Sequence, residues 1–303
     1  MATTPRLSAC LTFDFDALSV WLGTMRTTSP ASLSRGEFGP YALPRILDLL
    51  KRHDIRSTFF IPGHTALAYP ELVRRIRDEG HEIGHHGFVH EDPASLDEAT
   101  EREVFARGVE ALEKVAGVTP RGYRSPGADF STKTIDILLE NDIVYDATLC
   151  GSDFVPFYIR QGDVASYDKP FEFGAASELV GIPFSWGLDD WPHLEFSPGW
   201  STGQKPPSAV LEIWRSEFDY AYANVPGGVY DLTMHPQIIG RGSRLIMLEQ
   251  LITHISDHDD VVFEPLIDYA LRWREAIPLR AWLETNPSQA PAQPVRLLGA
   301  TGA

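Results

Sequence analysis

Leu7-Ser8-Ala9-Cys10-Leu11-Thr12-Phe13-Asp14-Phe15-Asp16-Ala17 places two carboxylates, Asp14 and Asp16, at the end of an apolar run. Leu11, Phe13 and Phe15 mark Leu7 to Phe15 as a buried β-strand, the first of the fold. Residues i and i+2 of a strand point to the same side, so both acids face one space at the strand's end. Two carboxylates held side by side repel each other. The repulsion falls if one binds a cation, which leaves the other free to act as a base. A solvated Asp-x-Asp turn is the plainer reading of these residues alone.

Farther along, Gly80-His81-Glu82-Ile83-Gly84-His85-His86-Gly87-Phe88-Val89-His90 holds four of the ten histidines. His81-Glu82-Ile83-Gly84-His85 matches H-E-x-x-H, a zinc motif that works only on a helix, where i and i+4 share a face. Gly80, Gly84 and Gly87 punctuate the segment, and the helix before it, Pro70 to Glu79, ends at Gly80. Glu82-Ile83-Gly84 therefore reads as a short strand. A second reading pairs His86 and His90 with Asp14 or Asp16, a ligand set that leaves an open position for hydrolytic zinc. The same set also suits the non-haem iron facial triad.

The rest of the chain alternates strands with helices. Helices are expected over Pro44–His53, Asp97–Ala116, Ser131–Asn141, Pro207–Ala223, Gly240–Ser256 and Pro265–Glu275. Strands are expected at Ser57–Ile61, Gly122–Tyr123, Ile143–Ala147, Glu178–Pro183, Gly228–Met234 and Val261–Phe263. This order predicts a parallel barrel with its chemistry at the strand C-termini. Gly23–Tyr41 and Cys150–Ser177 fall outside the repeat and read as long loops, either lids over the metal or oligomer contacts. One domain is expected over 1–286, with a flexible Pro/Ala/Gly-rich tail over 287–303.

The ordered motifs resemble those of the NodB-homology polysaccharide deacetylases, carbohydrate esterase family 4. They are Thr12-Phe13-Asp14-x-Asp16, the Gly80 to His90 segment, Tyr123-Arg124-Ser125-Pro126-Gly127, Leu188-Asp189-Asp190-Trp191 and Leu232-Thr233-Met234-His235. They run from about residue 8 to 240; each is weak alone and the ordered set is specific. Asp16 to Gly23, Ser34 to Phe38 and Phe60 to His64 resemble the branch of peptidoglycan-deacetylase-like proteins and cyclic imide hydrolases, with allantoinase-like relatives nearby. The resemblance implies a distorted (β/α)7 TIM-like barrel. It implies a divalent metal, zinc first, on Asp16, His86 and His90, with Asp14 as base. Spacing alone does not divide the roles of Asp14 and Asp16. It further implies that Arg124 pairs with Asp14 and that His235 is a general acid supported by Asp189 or Asp190. His85 departs from the family pattern, and a structural role is expected for it. His64 and Trp186 are expected to line the pocket.

Composition agrees with a large soluble core: 303 residues, 43% hydrophobic, seven Trp and sixteen Phe. A net charge of −16 disfavours nucleic acid and anionic membranes as partners, but not a neutral substrate. No leader-like apolar stretch precedes the first strand, and a cytoplasmic location is expected. Cys10 and Cys150 are too few for a disulfide framework and are expected to be small buried residues. The expected activity is metal-dependent hydrolysis of a non-peptide amide or imide. A small cyclic imide or ureide is the first substrate class and an N-acetylated aminosugar or peptidoglycan fragment the second. A metal-free binding or assembly protein is the reading from another class, and a homo-oligomer is expected.

Overall fold

The computed structural model describes residues 5–197 and 201–290. Its centre is β1 (Leu7–Asp14), buried along its whole length, as a strand covered on both faces must be. β10 (Gly228–Met234) runs parallel to it, from Leu7 opposite Gly228 to Phe13 opposite Met234. On its other side β1 meets two strands in turn. β11 (Val261–Phe263) pairs with Leu7 to Ala9, and β2 (Thr58–Ile61) with Thr12 to Asp14. Across that second pair Phe13 stacks on Phe59, with ring centroids 4.9 Å apart.

The sheet continues through β3 (Glu82–His85), β4 (Gly122–Tyr123), β5 (Tyr145–Asp146) and β7 (Ala175–Gly181), all parallel. β1, β2, β3, β4, β5, β7 and β10 thus form seven parallel staves. Between β7 and β10 no strand pairing closes the ring; the chain beyond β7 meets β10 in one isolated pair, Asp189 with Thr233, among the described residues. The fold is a distorted (β/α)7 barrel, with helices such as Glu98–Ala116, Pro207–Asn224 and Gly242–Ser256 between the staves. Asp97 caps the first of these by accepting from Thr100 N at 2.8 Å, and left-handed Gly117 ends it. A small ribbon, β8 (Phe196–Ser197) with β9 (Ser201–Thr202), lies off the main sheet.

Two expectations about loops are corrected. Much of Gly23–Tyr41 belongs to a helix, Pro30–Arg52, which runs through Pro40 and Pro44. Its inner face has no apolar periodicity at its start because glycines make the contact there. A Cβ on Gly36 would lie 2.4 Å from the carbonyl oxygen of Ala17. The helix thereby lies directly on the chain leaving β1. Cys150–Ser177 is also ordered: β6 (Phe157–Gln161) pairs antiparallel with β7, and Val164 bridges Glu172 nearer the hairpin tip. Cys10 is buried in β1, whereas Cys150 is exposed.

Among the described residues no helix is long and apolar enough to cross a membrane. Of the tail expected beyond 286, Pro287–Gln289 form a 3-10 turn, and 291–303 lie outside the described residues.

Candidate active site

β1 ends where the chemistry begins. Asp14 is its last residue, and Asp16 follows after Phe15, whose N–H still donates to Phe60 O at 2.9 Å. Extended backbone up to this point keeps both carboxylates on one side. Ala17 then turns the chain in the left-handed region, at φ 48°. β3 delivers His86 one residue past its end, and the following loop delivers His90, itself left-handed at φ 61°.

Both histidines are oriented from behind. His86 Nδ1 lies 2.7 Å from Arg124 O. A carbonyl only accepts, so Nδ1 carries the proton and Nε2 presents a lone pair. His90 Nδ1 lies 2.6 Å from Thr24 Oγ1, and that hydroxyl donates to His90 O at 2.9 Å, which fixes the same tautomer. The two lone pairs meet Asp16: Oδ1 is 3.5 Å from His86 Nε2 and 3.8 Å from His90 Nε2. Asp16 Oδ1 and His86 Nε2 are buried with no hydrogen-bond partner, an arrangement that is costly unless a cation lies between them. Bonds of about 2.0–2.1 Å to a tetrahedral ion put neighbouring ligand atoms about 3.3 Å apart, close to these separations. The donor set fits a divalent metal. Burial also holds His86 and His90 below the usual histidine range, so both are neutral, as ligands must be.

Asp14 has a different neighbour. Arg124 is buried and makes four contacts. Nη1 donates to Asp14 Oδ1 at 2.9 Å and to Thr12 Oγ1 at 2.9 Å, Nη2 to Asp231 Oδ2 at 2.8 Å, and Nε to Ala147 O at 3.0 Å. Burial alone would raise the pKa of Asp14, but the adjacent guanidinium outweighs it and holds the carboxyl below its ordinary value. Asp16 has no guanidinium beside it; burial outweighs the lowering effect of His235 and pushes it well above the carboxylate range. The two acids are therefore inequivalent before any ion binds.

His235 follows β10 and faces both acids, with Nε2 3.9 Å from Asp14 Oδ2 and 3.8 Å from Asp16 Oδ2. Its Nδ1 meets Asp190 Oδ1 at 2.7 Å. Asp189 Oδ1 is 4.0 Å away and instead accepts from Trp191 N. Burial opposes a charge on the ring, yet Asp190 prevails and raises His235 to about 10, so the imidazolium persists at neutral pH. The Trp191 ring packs edge-on against it, 5.1 Å between centroids.

Several residues fall elsewhere. His85 stacks on Phe105 and places Nε2 3.0 Å from Phe105 O, a packing role. His81 accepts from Ser57 N at 3.1 Å, and Glu82–His85 is a strand, so the H-E-x-x-H reading fails. His64 does not line the cavity above the acids; it meets Ser19 Oγ at 3.3 Å. Trp186 does line it, with Val20, Met25, Phe184 and Trp191. The Cys150–Ser177 segment does not line this cavity; Thr24 and Met25 supply what the first irregular segment gives. Sequence reasoning missed Thr12, Thr24, Asp231 and Gln237, whose Nε2 donates to Asp16 Oδ2 at 3.4 Å. Asp231, a lone acid in the apolar strand four residues before His235, was the one detectable signal.

The comparisons with known proteins agree with this geometry. A polysaccharide deacetylase family model matches residues 3–145. A peptidoglycan deacetylase of Helicobacter pylori is 36% identical over 263 residues, which cover 82% of this chain and 89% of that protein. The crystal structure of a protein from Mycobacterium smegmatis assigned as a polysaccharide deacetylase superposes with a TM-score of 0.78 at 36% identity, covering 91% of this chain and 93% of that one. An allantoinase structure superposes with a TM-score of 0.74 over 92% of this chain and 93% of that one; at 22% identity it shares the fold. This chain belongs to the polysaccharide deacetylase family, hydrolases that act on carbon–nitrogen bonds other than peptide bonds.

Proposed function

We propose that this protein hydrolyses a small cyclic imide or ureide. The observation that carries the reading is the cavity above the acids. It is small, about 60 Å³, and walled by Val20, Met25, Phe184, Trp186 and Trp191, apolar surface that suits a small ring. Asp16, His86 and His90 would hold a divalent cation, zinc by the chemistry of two imidazoles and one carboxylate. Such a cation, when bound, acidifies water and polarises a carbonyl. Asp14, kept ionised by Arg124, takes the proton of the attacking water. Asp231 shares the guanidinium and keeps it fixed. His235, charged through Asp190, donates a proton to the departing nitrogen, which leaves poorly as an anion. The aromatic walls exclude bulk water from the reacting carbonyl.

A second reading, N-deacetylation of an aminosugar, has its own support. A groove of about 570 Å³ lined by Leu22, Thr24, Arg26, Glu91 and Asp129 adjoins the cavity through Thr24 and Gly127. It has room for neighbouring sugar units.

The deciding assay uses zinc-reconstituted protein, with succinimide and an N-acetylglucosamine oligomer in parallel. Ring opening without acetate release supports the imide reading. Acetate release from the oligomer alone replaces it with the second.

A further inference from the structure

The second cluster of imidazole and carboxylate groups lies away from the cavity, on the surface. Helix Pro207–Asn224 carries Asp219, helix Gly242–Ser256 carries His254, and His258 follows two residues past that helix's end. Asp219 Oδ1 lies 2.7 Å from His254 Nε2 and 4.0 Å from His258 Nε2. His258 Nδ1 donates to His254 O at 2.8 Å, which leaves Nε2 as the ring atom turned toward the carboxylate and free to offer a lone pair to a metal. At 2.7 Å the His254 Nε2–H donates to Asp219, and a cation in place of that proton would meet the carboxylate and the His258 lone pair together. The separations straddle the roughly 3.3 Å that ligand atoms take around a tetrahedral ion with 2.0–2.1 Å bonds. Phe218 and Tyr222 hold the rings in place, edge-on to His258 at 5.0 and 4.7 Å between centroids.

We propose that Asp219, His254 and His258 form a second metal site, for a borderline divalent cation such as zinc, nickel or copper, that ties the ends of the two helices together. The ligand types favour these ions over magnesium or calcium. Arg215 Nη2 now lies 3.0 Å from His254 Nδ1. It is an exposed side chain and swings aside when the ring's proton moves to Nδ1 and Nε2 takes the metal. Water completes the coordination sphere.

The test is zinc titration of chelator-stripped full-length protein, read by calorimetry and by metal content after dialysis. The parent is expected to retain two equivalents and the His254→Gln/His258→Gln variant one, with hydrolysis unchanged. A second measurement removes the catalytic ligand. Zinc should still raise the unfolding temperature of His90→Ala protein, and should no longer do so when His254→Gln and His258→Gln are added. Equal zinc content in parent and double variant would overturn the proposal, as would a zinc-induced stabilisation that survives all three substitutions. Neither comparison depends on which substrate the active site accepts.

Discussion

Asp190 grips His235 twice: Oδ1 meets the ring Nδ1 at 2.7 Å, and Oδ2 accepts the His235 backbone N–H at 3.0 Å. One carboxylate therefore sets both the position of the imidazole and its charge. Asp189, its neighbour in sequence, caps the turn at Trp191 N instead.

Asp190→Asn should lower kcat on the order of 10²- to 10⁴-fold, the usual worth of a general acid. His235 stands at about 10 because of that carboxylate, and in the general-acid role proposed for it the ring would act only while protonated. Activity is thus lost as pH rises through the histidine's pKa. Removing Asp190 lowers that pKa, so the alkaline limb of the pH–rate profile should move toward neutrality. Asp189→Asn, whose carboxylate raises the ring less and without a hydrogen bond, should move the limb less. Steady-state kinetics from pH 6 to 10 distinguish the two variants.

Arg124→Met removes a buried cation and leaves Asp14 and Asp231 facing each other without it. Breaking a buried pair by deleting one partner typically costs about 3–5 kcal/mol. An unfolding free energy lowered by that amount in urea titrations, together with lost hydrolysis, is the expected outcome. A stable but inactive variant would limit Arg124 to tuning Asp14.

Asp146, the last residue of β5, is fully buried and hydrogen-bonded to Thr148, and burial raises its carboxyl to about 7. The folded protein therefore holds a proton there that the unfolded chain releases near pH 4. Its contribution to stability is present below that pH and is lost as pH rises through about 7. Asp146→Asn should flatten the fall in unfolding free energy between pH 5 and pH 8. An unchanged slope in paired urea titrations would remove Asp146 as its source.

Gly36→Ala puts a Cβ 2.4 Å from Ala17 O and 2.8 Å from the Trp21 ring. The helix must lift off the turn that follows Asp16, at about 1–3 kcal/mol for an overpacked contact. A lowered unfolding temperature should accompany weaker zinc retention, because that turn positions Asp16. Retention equal to the parent's would separate the helix from the metal ligands.

The parallel barrel and the convergence of Asp14, Asp16, His86, His90, Arg124 and His235 were legible because each lies at or just past a strand end in a spaced motif. Runs such as Leu7–Phe13 and Val229–Met234, buried along their length, marked strands, while the number seven came from the family resemblance. The first half of helix Pro30–Arg52 was not legible, since Gly36 and Gly39 replace the apolar stripe where the helix touches backbone, and Pro44 read as a helix start. The Phe157–Gly181 hairpin hid behind exposed aromatics such as Tyr167 and Phe173, which mask strand alternation. Thr24 and Gln237 lie outside every motif and reach His90 and Asp16 only through tertiary packing. The choice of Asp190 over Asp189 depended on a backbone turn that no spacing encodes.

The inequivalence of Asp14 and Asp16 is the centre of this account, and one variant tests it directly. Asp14→Asn protein, reconstituted with zinc and dialysed, should retain the same zinc content as the parent and show no hydrolysis. Loss of zinc in that variant would make Asp14 a ligand and contradict the division of roles between the two acids, as would hydrolysis at the parental rate.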